Sequence, residues 1–197
     1  KVGYVGQPLP DCDVKLSDIK EILVKHEALM DGYYKEPELT AETMVDGWLR
    51  TGDEGYIDDQ GFLKITGRVK DLFKTTKGKY VAPSPIEMHI SENSDIEQVC
   101  LVGDGIPQPI ALVVISESGV LKSKTELTDS ILKTLDRVNP LLDHHEQVKK
   151  IVVIKEAWTV ENELLTPTMK IKRNPIEKIY HKNYETWYES PDRIIWE

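Results

Sequence analysis

Five basic side chains in one short window are the first feature that could do chemistry. Residues 67–80 carry one acid, Asp71, and five bases, Arg68, Lys70, Lys74, Lys77 and Lys79, a local charge of +4. A second basic cluster lies near the C-terminus and contains Lys170, Lys172 and Arg173. Two basic loops favour a ligand that carries phosphate or another polyanion. A solvated charged face explains the same charges, and charge alone does not separate the two interpretations.

Two glycine-containing turns add possible ligand contacts. In Thr51-Gly52-Asp53 the carboxylate of Asp53 could accept two hydroxyl hydrogen bonds, as a ribose diol requires, although an ordinary Asx-turn also fits. Gly78 predicts a tight turn where a ligand could approach the backbone, although a plain hairpin would need the same glycine. The phosphate-binding patterns GxxxxGK[ST] and GxGxxG are absent.

Composition restricts the class of protein. The 197 residues contain 34 acids and 25 bases, a formal net charge of −9, which argues against a nucleic-acid partner or a general anionic-membrane surface. The longest aliphatic run, residues 110–115, is far too short to cross a bilayer.

Cys12 and Cys100 are predicted to be free thiols in a reducing compartment. His144 and His145 lack a spaced partner, so no metal site is predicted.

The elements that must position these residues change in character after Gly67. Residues 1–66 predict strands at 21–25 and 62–66, a hairpin loop at 58–61 and one short helix at 37–45. Beyond them, Ser84 and Glu87 have capping-box spacing with Pro85 between, which predicts a helix from residue 85.

The rest of the chain alternates strands and helices. Strands are predicted at 98–102, 110–116 and 150–155, and a terminal helix at 174–184. Ser123 and Glu126 form another capping box, and the helix after it has an apolar stripe: Leu127, Ile131, Leu135 and Val138. The pattern predicts a small α+β domain with helices packed on a central sheet.

The order of these motifs resembles the adenylate-forming superfamily, and more narrowly the AMP-forming long-chain fatty-acid–CoA ligases. The motifs that carry the resemblance are residues 47–53, 67–71, 78 with 83–87, and 165–173, supported by residues 6–10 and 30–35. The resemblance covers essentially the whole chain. It implies a β-rich, barrel-like remnant of a large N-terminal domain over residues 1–69 and a mobile α+β domain over 70–197.

The resemblance also implies roles for individual residues. Asp53 would bind the ribose hydroxyls of ATP, and Arg68 would assist there. Lys70 would be the hinge about which the C-terminal domain swings between two poses. Lys170 would be the adenylation lysine, placed between the substrate carboxylate and the α-phosphate. Gly78 would line the channel for the pantetheine of coenzyme A.

Some details stay open under the resemblance. Lys77 departs from the Gly or Ser usual before the channel glycine, and roles for Lys74 and Lys79 are not fixed by the motif. The phosphate loop, the Mg²⁺ ligand and most of the acyl pocket would lie upstream of residue 1, so we expect the chain alone to be inactive.

The leading interpretation is therefore a fragment of a cytoplasmic ligase that uses ATP, coenzyme A and a carboxylic acid, most simply a long-chain fatty acid. Peripheral membrane attachment and oligomeric state are left open. A superfamily enzyme that hands the acyl group to an acceptor other than coenzyme A is one alternative. A noncatalytic anion-binding module that kept the fold is another.

Overall fold

The computed structural model describes residues 1–197 and divides the chain into two compact units, Lys1–Lys70 and Asp71–Glu197. Both units combine helices with antiparallel or mixed sheets, so the predicted α+β class is confirmed. None of the helices is both long enough and apolar enough to span a bilayer.

The first unit is a five-stranded antiparallel sheet with one short helix. Its elements are β1 (Asp13–Leu16), β2 (Glu21–Lys25), α1 (Pro37–Thr43), β3 (Met44–Val45), β4 (Trp48–Ile57) and β5 (Leu63–Arg68). The strand order is β1-β2-β4-β3, and β5 pairs with the second half of β4. The sheet is open and not a closed barrel, because β1 pairs only with β2 and leaves its other edge free.

The predicted hairpin in this unit joins β4 to β5. Asp58 Oδ1 accepts hydrogen bonds from the amides of Gln60 and Phe62, at 3.0 and 2.9 Å, which closes the loop with local side-chain contacts. Ile57 then pairs with Leu63 at the start of the ladder.

The second unit is built on a four-stranded sheet of order β11-β10-β9-β8. Its elements are β6 (Phe73–Lys74), β7 (Tyr80–Val81), α2 (Pro83–Ser91), β8 (Ile96–Val102), β9 (Ile110–Ile115), α3 (Glu117–Val120), α4 (Lys124–Val138), β10 (Lys150–Val153), α5 (Arg173–Tyr180), α6 (Tyr184–Glu189) and β11 (Ile194–Trp196). The strands β9, β10 and β11 are parallel, and β8 runs antiparallel to β9. The short hairpin β6–β7 is separate from this sheet.

Local signals determine α4 as predicted. The Ser123 side chain accepts from the Glu126 amide, and the Glu126 side chain accepts from the Ser123 amide, so the capping box is complete. All four residues of the predicted apolar stripe are buried. Their spacing places them on the single helix face that covers the sheet.

Alternating strand residues divide the core of the second unit into two clusters, one on each face of the sheet. Leu101 lies in the cluster covered by α2, α4 and the β6–β7 hairpin residues Phe73 and Val81. Its neighbour Cys100 lies in the other cluster, which includes Trp158, Leu164, Leu165, Ile176 and Trp187. Because successive strand side chains point to opposite faces, the β6–β7 hairpin and the segment around Leu165 pack on opposite sides of the sheet.

Two predicted helices differ from the observed ones. Helix α2 begins at Pro83, not Pro85, and its N-cap, Ala82, provides no side-chain hydrogen bond. The expected capping box is wrong, because Glu87 is engaged by distant partners described below. The terminal helix is broken into α5 and α6 by a 3₁₀ turn at His181–Asn183. The strand β11, which follows α6, has no counterpart in the sequence-based prediction.

Candidate functional site

The Thr51-Gly52-Asp53 segment lies in β4 at an irregularity in its pairing with β2. Glu21 pairs with Glu54 and Leu23 pairs with Arg50, so three residues of β4 oppose one residue of β2. Such a bulge leaves backbone groups without ladder partners and re-aims the side chains beside it.

Side chains satisfy the backbone groups that the bulge leaves free. Glu21 Oε1 accepts the Gly52 amide at 3.0 Å, and the Thr51 hydroxyl donates to the Ile22 carbonyl at 2.8 Å. The Asp53 amide donates to Thr51 Oγ1 at 3.1 Å. Gly52 has φ +73°, a left-handed conformation in which any Cβ would be strained. The bulge is therefore a defined structure that fixes the backbone next to Asp53.

Glu21 is the anchor of this arrangement. Its side chain is only 4% exposed, and its second oxygen accepts from Arg50 Nε at 3.0 Å and Nη2 at 2.8 Å. A buried carboxylate requires such compensation, and here a guanidinium and a backbone amide supply it together. Glu21 belongs to none of the motifs that predict site residues. Its charge at the start of an apolar strand is the only local signal for it.

Asp53 and Arg68, predicted from separate motifs, face each other across the β4–β5 ladder. They are register partners, and Arg68 Nη1 lies 3.0 Å from Asp53 Oδ1. Both side chains are accessible, with 27% of Asp53 and 57% of Arg68 exposed. The Arg68 guanidinium pairs with Oδ1, and the second carboxylate oxygen, Oδ2, has no partner within the chain. Such a pair can bind vicinal hydroxyls and an adjacent anionic group.

Lys70 lies where the two compact units join in the chain. It is the central residue of a 3₁₀ turn, Val69–Asp71, and the last residue of the first unit. A single turn between two units is a place where a change in φ and ψ could reorient one unit as a body. The hinge role of Lys70 remains a prediction.

Gly78 occupies the turn of the β6–β7 hairpin. Its φ is +76°, its amide donates to the Thr75 carbonyl at 2.9 Å, and the Thr75 amide donates to the Lys79 carbonyl at 2.9 Å. A Cβ added at Gly78 would meet only the Lys74 Cε, at 4.0 Å. The backbone conformation therefore requires glycine, while the space around it is open.

Lys170 lies in a second hairpin, formed by residues 164–172. Leu165 and Ile171 form a bridge, the Thr166 amide donates to the Lys170 carbonyl at 2.8 Å, and the Lys170 amide donates to Thr166 Oγ1 at 3.0 Å. Met169 takes φ +62° to complete the turn. The backbone of Lys170 is thus held through both its carbonyl and its amide, while its side chain is exposed and takes part in none of the ion pairs.

Within the second unit, the sheet separates these two hairpins. The Gly78 hairpin packs through Phe73 and Val81 on one face, and the Lys170 hairpin packs through Leu164, Leu165 and Ile171 on the other. The unit therefore presents the two predicted loops on opposite faces of its sheet.

The predicted residues lie on open surface. Asp53, Arg68, Gly78 and Lys170 do not line the four best-formed surface cavities, which have volumes of about 390 to 720 Å³. No group of three or more His, Cys, Asp or Glu side chains is arranged to hold a metal ion. Neither cysteine forms a disulfide, and Cys100 is fully buried.

Comparison with known proteins places these motifs in a family. Over residues 70–192 the chain matches the family model described as the AMP-binding enzyme C-terminal domain. A long-chain-fatty-acid–CoA ligase of Mycobacterium tuberculosis is 32% identical over 205 residues, which are 95% of this chain and 34% of that protein. Long-chain-fatty-acid–CoA ligase 5 of Rattus norvegicus is 37% identical over 218 residues, covering 95% of this chain and 32% of the relative.

A solved structure agrees with these sequence relatives. The adenylation domain of a carboxylate reductase from Mycobacterium chelonae superposes with a TM-score of 0.78 at 25% identity, covering 93% of this chain and 32% of the other. The chain spans about a third of the length of the curated relatives it matches. Since the family model matches well over half of its residues, the chain belongs to the family of AMP-binding enzyme C-terminal domains.

Proposed function

We propose that this chain is the C-terminal part of an ATP-dependent, AMP-forming long-chain fatty-acid–CoA ligase. The enzyme would join a carboxylic acid to AMP with release of pyrophosphate, and would then transfer the acyl group to the thiol of coenzyme A. The names of the sequence relatives support the substrate class. The observation that carries the proposal is Lys170, an unpaired ammonium on a hairpin that holds the backbone of this residue through both its carbonyl and its amide.

Lys170 can stabilise the charge that develops in the first step. Attack of a carboxylate oxygen on the α-phosphorus brings two anions together, and a lysine ammonium between them offsets their repulsion. The exposed side chain forms no ion pair within the chain, so its charge is available to a substrate. A long, flexible stem suits a group that must leave the site before the second step.

Asp53 and Arg68 suit the nucleotide. With Oδ1 engaged by Arg68, the free Oδ2 of Asp53 can accept a ribose hydroxyl, and the Arg68 cation lies close enough to contact the same sugar or a phosphate. The hydrogen bond from the Gly52 amide to Glu21 fixes the backbone directly before Asp53. A bound nucleotide would therefore be positioned by groups that are already ordered before it binds.

Gly78 suits the second step, because the open space around its turn leaves room for an extended thiol-bearing chain to run along the backbone. Mg²⁺ would neutralise the ATP phosphates when bound, with ligands supplied by parts of the enzyme other than these residues. A cytoplasmic location is part of the proposal.

The decisive experiment separates the two half-reactions in the intact enzyme. Lys170→Ala should lower fatty-acid-dependent ATP–pyrophosphate exchange about 10²- to 10³-fold, because one preorganised charge is lost from the transition state. Thioester formation from preformed acyl-adenylate and coenzyme A should change less than about threefold, since Lys170 acts only in the first step. Lys178→Ala, which removes an exposed lysine from α5, is the matched control and should leave both rates unchanged.

Three results would contradict parts of the proposal. If both half-reactions survive in Lys170→Ala, the role assigned to Lys170 is wrong. If the wild-type enzyme forms acyl-adenylate but no thioester, a superfamily member that uses another acceptor is correct. If the wild-type enzyme supports neither reaction, a noncatalytic anion-binding module remains.

A further inference from the structure

Arg173, the first residue of α5, directly follows the Lys170 hairpin and is mostly covered by its neighbours. Its guanidinium side chain is 13% exposed. Nη1 donates to the Leu101 carbonyl at 2.6 Å and lies 3.4 Å from Cys100 Sγ, and Nη2 donates to Glu87 Oε1 at 2.8 Å. These contacts attach the end of the hairpin to strand β8 and to helix α2.

Glu87 completes the arrangement from the other side. Its Oε1 also accepts the Leu101 amide, at 2.6 Å. Strand β8 is an end strand of the sheet, so its outer edge has no neighbouring strand to pair with. Glu87 and Arg173 therefore satisfy the Leu101 amide and carbonyl in place of a missing strand.

This ion pair joins the two functional loops of the second unit. Glu87 lies on α2, and this helix begins two residues after the hairpin that carries Gly78. Arg173 is the residue that directly follows the hairpin that carries Lys170. The hairpins themselves pack on opposite faces of the sheet. The edge of β8 at Leu101 is where elements from both faces meet.

We propose that Arg173 and Glu87 are positioning residues for both half-reactions, fixing the Lys170 hairpin and the start of α2 to one point on β8. The inference rests on the function proposed above. A fork of N–H donors is needed at residue 173, because Nη1 and Nη2 donate to two different acceptors, the Leu101 carbonyl and Glu87 Oε1. Loss of the Arg173–Glu87 pair should therefore misplace both hairpins and slow both half-reactions, whereas loss of Lys170 should slow only the first half-reaction.

The test uses Arg173→Met, Arg173→Lys and Glu87→Gln in the intact enzyme, with both half-reactions measured for each. Arg173→Met should lower kcat of both half-reactions about ten- to a hundredfold, with KM for ATP within about threefold, because Asp53 and Arg68 are untouched. Arg173→Lys should restore only part of this loss. Glu87→Gln retains an acceptor for the Leu101 amide, so it is the variant least prone to misfolding.

A stability control separates positioning from simple support of the fold. Lys150 is a buried cation that attaches the loop between α6 and β11 to strand β10, since its ammonium donates to the carbonyls of Ser190 and Asp192. Lys150→Met should destabilise the same unit, yet leave both half-reactions within about threefold at temperatures where near-UV circular dichroism shows it folded. If Lys150→Met reproduces the losses of Arg173→Met, the pair has no specific positioning role.

The outcomes distinguish this inference from the proposed function. If wild-type enzyme is inactive in both assays, the proposed function fails, and the positioning role fails with it. If wild type is active and Lys170→Ala loses adenylation, while folded Arg173→Met and Glu87→Gln keep both half-reactions within about threefold, only the positioning role is overturned.

Discussion

Replacing Glu21 by Ala removes the carboxylate that accepts the Gly52 amide in the bulge of β4. A hydrogen bond between a buried carboxylate and a backbone amide contributes about 1.5 to 3 kcal/mol. The contact with Arg50 adds little to this figure, because 47% of the Arg50 side chain is exposed and water can replace the carboxylate there. The free energy lost at Gly52 in Glu21→Ala therefore comes mainly from the hydrogen bond between the Gly52 amide and the Glu21 carboxylate.

Amide hydrogen exchange measures this cost at the residue concerned. A loss of about 1.5 to 3 kcal/mol in local opening free energy should accelerate exchange of the Gly52 amide about ten- to a hundredfold in Glu21→Ala. The same variant in the intact enzyme should raise KM for ATP about tenfold or more, because Asp53 follows Gly52 directly.

Glu54→Ala is the matched control for Glu21→Ala. Glu54 lies opposite Glu21 in the ladder but forms no ion pair, so its removal should change Gly52 exchange less than about twofold. The reasoning is refuted if Gly52 exchanges at the wild-type rate in folded Glu21→Ala, since the carboxylate would then not hold the amide.

Two further predictions concern buried titratable groups. Hydrogen bonds from Lys122, at 2.7 and 2.8 Å, and from Ser130 lower the pKa of the buried Asp95 carboxyl. The paired Asp95 carboxylate stabilises the fold above pH 3.8, its ordinary pKa, and this contribution is lost as pH falls through the lower folded-state pKa. Asp95→Asn should therefore lower the melting temperature at neutral pH, yet make the melting temperature depend less on pH below 3.8, as circular dichroism can follow. An unchanged pH dependence in Asp95→Asn would contradict the assignment. Burial raises the pKa of the Cys100 thiol to about 12, so iodoacetamide at about pH 8 should label Cys12 while Cys100 stays unmodified until denaturant is added, as peptide mass mapping can show. Equal labelling of both thiols in the folded chain would show that Cys100 is accessible.

The parts of the fold that the sequence predicts best are those stabilised by neighbours along the chain. The α4 capping box joins residues three positions apart, and the loop after β4 is closed by Asp58 within four residues. The apolar run of β9 predicts a buried strand, because both of its faces are covered. For α4 and the loop, one short window contains both the signal and the contact that satisfies it, whereas the residues that cover β9 come from distant parts of the unit.

The sequence predicted the individual residues of the candidate site, but not how they are arranged in space. Motif order identified Asp53 and Arg68 separately, and the fold then placed them opposite each other as register partners. The sequence did not reveal that Glu21 anchors the same segment, since Glu21 and Gly52 are 31 residues apart. A buried carboxylate has no periodic signature, and its partner is determined by strand pairing alone.

Glu87 shows most directly where local reasoning ends. Its spacing from Ser84 predicted a capping box, yet its carboxylate binds Leu101, 14 residues away, and Arg173, 86 residues away. By itself the sequence determined the α+β class, the main strands, the α4 helix and the identity of the motif residues, because short-range hydrogen bonds and apolar periodicity suffice for these. Only the tertiary structure decided which buried charges pair and which faces of the sheet carry the Gly78 and Lys170 hairpins. A buried charge is stable only where the fold brings a complementary partner to it, and that partner can come from any point of the chain.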